Sequence, residues 1–428
     1  MIIDLRDCLR LHDNPLLQGV ERPLLVWVCE TLRWQRMSPR RRQFTHQALV
    51  DVRQQARALG GDLVILHGDR VEQLQALAKS TGFGIRVNAS SGWDEREQDR
   101  LLGAQRFDAS SLFYRQDLPF DEVPEPFTRF RNQVQKRVPI ATPHPMPVRL
   151  APLPAGVDAG ELPQIQAVPT HPNGVMEFVG GEQAALNHLS HYLSDPRRPT
   201  TYKQTRNGLL GADYSTKFSP WLAQGSLSAR QIWQAVTEFE RDVQKNDSTY
   251  WIKFELLWRE YFHWWVQRWG PGLYAPDPNA RDYAPAWQAW SEANTGVPFI
   301  DANLRELIET GFMSNRGRQN VASFLAKDLR LDYRLGADFF EYHLLDYDHG
   351  SNWGNWAYVA GVGADPREDR WFNVMLQATR YDKAGRYVRH WLPHLEAVET
   401  SIVHWPWVGG AASQPIVAPA GWNKVIQG

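Results

Sequence analysis

Four short stretches of this 428-residue chain gather residue types able to do chemistry. In TYWIKFELLWREYFHWW (249–265), Glu255 and Arg259 stand four apart and so share a helix face, with Trp258 within one turn of the carboxylate. Taken alone, that is a solvated ion pair beside a core stripe. In FMSNRGRQ (312–319), Ser314 or Asn315 can cap a helix whose first turn holds Arg316 and Arg318. Cations there oppose the helix dipole, so either an anion sits nearby or the pair is simply on the surface. Asp346 and Asp348 precede GSNWGNWAYVAG (350–361), where side-chain amides alternate with indoles. One aspartate can pair with an arginine while the other faces a ligand, or the two form a turn. The last stretch, YKQTRNGLLGADYSTKFS (202–219), offers hydroxyls, a lysine and glycine-freed backbone. Such donors suit a pyrophosphate, and equally a decorated helix N-cap.

Composition narrows the chemistry. Cys8 and Cys29 are the only cysteines, too few for an iron–sulfur or structural zinc set, so redox work requires a bound organic cofactor. A net charge of -1 announces no nucleic-acid partner, although basic residues cluster at 40–42 and 316–318. No apolar run approaches the ~18 residues that span a bilayer, and MIIDLRDCLR lacks a signal pattern, which predicts a cytoplasmic protein. The 19 tryptophans are concentrated in the second half.

The elements that must position these residues fall into two kinds. Over residues 1–120, strands predicted at 24–29, 62–66, 85–88 and 112–114 alternate with helices at 41–59, 71–79 and 94–102, the pattern of a doubly wound parallel sheet. No G-x-G-x-x-G follows the first strand. Prolines from 143 to 172 predict an irregular connector over 121–185. Residues 186–400 read as all-helical, with Trp251, Phe254, Trp258, Phe262 and Trp265 at helical spacing, and 401–428 as a loosely packed tail.

Five segments together resemble the photolyase and cryptochrome family: RLHDNP (10–15), YSTKFSPWLAQGSLSARQ (214–231), FELLWREYF (254–262), GFMSNRGRQNVASFLAKDL (311–329) and DYDHGSNWGNWAYVAGVGADPRED (346–369). Gln319, Tyr358 and AGVGADPRED are similar to the cryptochrome-DASH branch; other dimer photolyases tend to carry Met and Trp at the first two. The (6-4) photolyases carry histidines near positions 314, 315 and 319, where this chain has Ser, Asn and Gln.

The resemblance implies an α/β antenna domain followed by an all-helical domain that holds FAD in a U shape. It implies that Tyr202, Ser215, Thr216, Lys217, Phe218 and Ser219 contact the FAD phosphates and ribityl chain. Arg318 would pair with Asp346 beside the isoalloxazine, Arg259 and Asp348 would lie at the flavin edge, and Asn352 would face N5. An amide suits that place because it can donate or accept without ionising. The implied activity is light-driven repair of cyclobutane pyrimidine dimers by excited reduced FAD, preferentially in single-stranded DNA, where extrusion is cheaper. The alternative is a blue-light photoreceptor that signals without repair. Trp258 would stack on the dimer, Glu255 would bond its base edges, and Asn315, Arg316, Gln319 and Tyr358 would contact DNA. Trp356 would begin an electron route to the surface. The second position holds Tyr333, and the third falls near Ala280, with Tyr283 and Trp287 as nearby substitutes. Asp94 and Glu95 match the place of a folate antenna (methenyltetrahydrofolate). The opening strand is short for the family, which predicts a modified sheet edge. A monomer without metal is expected.

Overall fold

A computed structural model of the chain describes residues 1–275, 284–363 and 371–426. Five parallel strands, β1 (Ile2–Asp4), β2 (Leu24–Cys29), β3 (Leu63–His67), β4 (Ile85–Asn88) and β5 (Gln105–Phe107), form one sheet in the order β3-β2-β1-β4-β5. Successive strand residues face opposite sides, so Ile3, Leu25, Trp27, Leu63 and Ile65 fill one core and Ile2, Leu24, Val26, Val28 and Val64 the other. The helices Pro39–Ala58, Arg70–Thr81 and Trp93–Leu101 lie within a residue or two of expectation.

Three expectations for this part need correction. The short first strand does not modify an edge of the sheet: β1 is central and pairs with β2 and β4. Residues 112–114 are not a strand, since the N–H groups of Leu112 and Phe113 donate to the Glu260 carboxylate instead of to a ladder. The fifth strand is β5, whose exposed QRF carries no apolar run to reveal it.

The expected connector contains a helix, Phe127–Arg137, whose Phe127, Phe130 and Val134 share one face and pack into the helical core. After it, residues 138–181 hold no helix or strand; they run over the α/β half and then, from His171 to Phe178, against the helical half. Over the α/β half, the Ala159 carbonyl accepts from the Ile65 N–H, which covers the β3 edge of the sheet.

The remaining helices share one large core. The longest, Asp247–Trp265, opens on an Asn246 cap and packs against Arg197–Thr205 and His349–Ala360. The expected loose tail is instead anchored: Trp422 is 1% exposed and stacks near Phe324, and Val403, His404 and Trp407 are buried, because large rings bury enough area to order a short segment. No helix among the described residues is long and apolar enough to cross a membrane.

The two halves meet through buried polar bonds. Arg10 donates to the carbonyls of Gly225, Asp13 and Ala109, Arg230 pairs with Asp13 at 3.0 Å with both side chains at 0% exposure, and Glu182 accepts from the N–H groups of Leu11 and His12. The RLHDNP stretch is therefore the seam of the molecule.

Candidate functional site

Inside the helical half, burial leaves a set of polar groups under-satisfied. Lys217 adopts a left-handed φ of 55°, is 2% exposed, and holds its Nζ 3.1 Å from the Tyr214 ring centre and 3.2 Å from Ser215 Oγ. Burial brings its pKa down to about 7, although the carboxylates of Glu306 and Asp213 oppose the shift. Burial pushes Glu306 up to about 8, against the donor Tyr387 O–H at 2.7 Å and the cations Lys217 and Arg318. Glu306 Oε1, the Tyr214 hydroxyl, Asp346 Oδ1 and Gln319 Oε1 have no hydrogen-bond partner among the described residues. Buried polar atoms left this way each cost free energy unless a ligand satisfies them. Arg318 bridges outward from this group, donating to Asp346 Oδ2 at 2.8 Å and to the Met313 carbonyl. Phe312 lies 5.7 Å from both the Lys217 and the Arg318 cation.

Asn352, in the helix His349–Ala360, donates its amide N–H to the Ala337 carbonyl at 3.0 Å. That bond sets the side chain's direction and leaves its oxygen as an acceptor. Trp356 packs one turn further on against Gly336, where a Cβ would lie 2.2 Å from the ring.

Most of the other residues expected at the flavin have protein partners of their own. Asp348 caps the His349–Ala360 helix, accepting from Ser351 N–H at 2.7 Å, and pairs with Arg259 at 3.1 Å. Burial raises its pKa, but Arg259 and Ser351 outweigh that and hold it below the usual carboxylate range. Arg259 also donates to the Ser110 carbonyl, so this pair ties the helical half to the α/β half. Phe218 is core, beside Tyr192 and His188, and Ser219 faces solvent at the start of its helix. Thr216 accepts from His188 through its carbonyl. Tyr202 is buried, its phenol pushed up to about 12 by burial, close to Arg206.

The outer rim is cationic and aromatic. Glu255 does not pair with Arg259; its carboxylate accepts from Trp251 Nε1 at 3.0 Å and ion-pairs with Arg206, and it stays 35% exposed. Lys203 and Arg206 lie over the Trp251 ring at 4.8 and 5.7 Å. Arg316 donates to Asn207 at 2.8 Å and lies 4.4 Å over Tyr381; burial, with Arg206 and Arg380 nearby, lowers its pKa. Asn315 is exposed beside it, on a helix capped by Ser314. Trp258 is half-buried, stacked on Phe127 at 3.7 Å and 12°, with Tyr358 edge-on at 6.0 Å. Phe262 also stacks on it at 5.5 Å and 30°, so protein rings cover much of the indole and part of it stays exposed.

Arg206, Asn207, Tyr214, Glu306, Tyr387 and Phe127 were not singled out from sequence. The first three sit inside the 202–219 stretch. Glu306 carried a usable signal: Phe299, Asn303 and Glu306 recur at helical spacing on a buried face, where an acid needs a reason. Tyr333 is buried and donates its O–H to the Leu273 carbonyl at 3.2 Å. Ala280 and Tyr283 lie outside the described residues, as does ADPRED (364–369).

Glu95 stands in the first turn of the Trp93–Leu101 helix near His349, Arg6 and Arg33. Burial raises its pKa, and those neighbours more than reverse the shift. A cleft at the C-terminal ends of β1 and β2, lined by Arg6, Asp7, Trp27, Arg33, Arg41 and Tyr347, lies alongside. Asp94 is exposed.

Comparison with known proteins agrees with this arrangement. Residues 2–150 match the family model described as DNA photolyase, and residues 251–424 match the FAD binding domain of DNA photolyase. A "Cryptochrome DASH" from Xenopus laevis is 40% identical, covering 99% of this chain and 90% of the relative; one from Gloeobacter violaceus is 41% identical, covering 94% and 87%. A Synechocystis cryptochrome structure superposes with a TM-score of 0.91 at 35% identity, over 100% of this chain and 97% of that one. A class III photolyase from Agrobacterium tumefaciens gives 0.80 at 26% identity, over 100% and 95%. FAD is thus the cofactor of the helical half, and the residues present fit it. The Lys217 cation and the Ser215 hydroxyl suit its phosphates, and the unpartnered atoms of Asp346 and Gln319 with the Asn352 amide suit a polar ring edge. The chain belongs to the DNA photolyase and cryptochrome family, in its cryptochrome-DASH branch.

Proposed function

We propose that this protein repairs cyclobutane pyrimidine dimers under blue light, preferentially in single-stranded DNA. The supporting observation is the rim: a part-exposed carboxylate, Glu255, one turn from the part-exposed ring of Trp258 and paired with Arg206, with Lys203 over Trp251 and Arg316 and Arg380 close to Arg206. Reduced FAD, held by the interior residues that fit it, would supply light-driven one-electron chemistry. The chain's own residues capture and orient. Arg206 and Arg316 neutralise backbone phosphates, and the exposed part of the Trp258 ring meets an extruded base. Glu255, pre-aimed by Trp251 and Arg206, accepts from a base N–H. Asn352 holds an acceptor toward the ring edge without changing its own charge. Tyr358 and Gln319 furnish a smaller mouth than a second indole would, which weakens capture from duplexes, where unstacking adds a few kcal/mol. A folate antenna would lie against Glu95.

Glu255→Ala tests the assignment. The variant is expected to keep bound flavin and lose dimer repair. Loss of both together would show that Glu255 supports the cofactor site, and full repair would remove it from substrate recognition. Light-induced flavin reduction with no repair in the unsubstituted protein would favour the photoreceptor alternative.

A further inference from the structure

We propose that electrons reach the flavin site along Trp287, Trp290 and Trp356, bypassing Tyr333. The inference rests on the placement of flavin beside Asn352 and Trp356. Trp356 is 2% exposed, and its nearest indole is Trp290, with ring centres 6.3 Å apart at 70°. Trp290 is fully buried and stacks on Trp287 at 5.6 Å and 21°. Both separations lie in the contact range of aromatic pairs. Trp287, on the helix Ala284–Ser291, is only half-buried, so the series runs from the interior to water without a gap. Phe339 flanks the two outer rings at 5.2 and 6.1 Å and keeps water from the middle of the path.

Tyr333 is badly placed for the same task. A phenol is oxidised readily only when its proton can leave, and the Tyr333 O–H donates to a backbone carbonyl, which is no base. Burial raises its pKa further. The Arg334 guanidinium lies 4.6 Å over its ring, where a cation opposes a positive hole. No aromatic ring packs against Tyr333 among the described residues. Indole loses an electron without first losing a proton, and Trp290 needs only its standing bond from Nε1 to the Val321 carbonyl at 3.3 Å.

The electron balance is simple. For each photon Trp356 would give up one electron to the bound flavin, Trp290 would refill Trp356 and Trp287 would refill Trp290, and one external thiol would return one electron to Trp287 and leave as a thiyl radical; two such turnovers use two thiols, whose thiyl radicals join as one disulfide. The oxidised Trp287 ring, at the surface, can release its N–H proton to water and takes a proton back when the thiol reduces it, so the protein is unchanged over the cycle.

Flash photolysis of the flavin-loaded protein, following tryptophan-radical absorption and thiol-dependent bleaching, tests the route. Trp287→Phe and Trp290→Phe should each shorten the radical lifetime and slow bleaching, with Trp287→Phe carrying the test if the buried Trp290→Phe fails to fold. Wild-type lifetimes in Trp287→Phe, with loss of the signal in Tyr333→Phe, would overturn the route. Trp356→Phe separates the two layers of the argument. If it abolishes the signal while Trp287→Phe does not alter it, the route alone fails; if it changes nothing, the flavin placement fails with it.

Discussion

Gly336→Ala isolates the packing that holds Trp356. Gly336 lies in the helix Tyr333–His343, where alanine ordinarily gains about 1 kcal/mol over glycine. Here the added Cβ would sit 2.2, 2.6 and 2.7 Å from Cη2, Cζ3 and Cζ2 of Trp356, against an unstrained carbon contact of about 3.5 Å. The ring must therefore withdraw by roughly 1 Å or more. It has nowhere to go, since Phe340 meets it edge-on at 5.0 Å and Trp290 at 6.3 Å. Overpacking of a tight core costs about 1–3 kcal/mol, and a clash with a ring pinned on its other sides belongs at the top of that range. The two effects leave a net loss of about 1–2 kcal/mol. Urea denaturation followed by near-ultraviolet circular dichroism would show a lower midpoint, and the Trp356 radical signal should change with it. A midpoint raised by the helix gain, with the radical signal unaltered, would refute the packing argument.

Asp348→Ala removes a helix cap worth about 1 kcal/mol and strands a part-buried Arg259, so the loss should approach about 3 kcal/mol by urea denaturation. A drop in flavin content with unchanged stability would instead restore a ligand role. Glu260 is wholly buried and burial lifts its pKa from the usual 4.5 to about 7, despite donors from Leu112, Phe113 and Trp264. The folded state then holds a proton that the unfolded state has released, so this group's stabilisation is complete below pH 4.5 and is lost as pH rises through 7, about 3 kcal/mol in all. Glu260→Gln should flatten that part of the stability–pH curve, and an unchanged slope would contradict the assignment. Gly225→Ala, at a φ of 77° with its Cβ 2.2 Å from the Asp7 carbonyl oxygen, should lower the unfolding midpoint by prying the two halves apart at their seam. An unshifted midpoint would show that the seam yields.

Periodicity made the scaffold legible. Largely buried strands of four to six residues and helices with a repeating face were visible because a core selects each pattern. β5 was not, since three residues give no period and its pairing depends on neighbours distant in sequence, and β1 was expected only from the family resemblance. The Phe127–Arg137 helix hid in a segment judged by the prolines that follow it. At the site, residue types were legible and partners were not. The spacing of Glu255 and Arg259 suggested a pair, yet each found a better one across the fold, Arg206 and Asp348 respectively. A local i,i+4 contact contributes only about 0.2–0.5 kcal/mol and yields readily to tertiary alternatives. Glu306 and Lys217 were brought together by folding alone.

The most direct test of the central claim uses the purified protein, reduced under blue light, with oligothymidylate carrying cyclobutane dimers, supplied single-stranded and as a duplex. The account predicts recovery of thymine absorbance near 260 nm that requires light and is faster on single strands. A flavin-loaded protein that leaves the dimers intact on both substrates would contradict it.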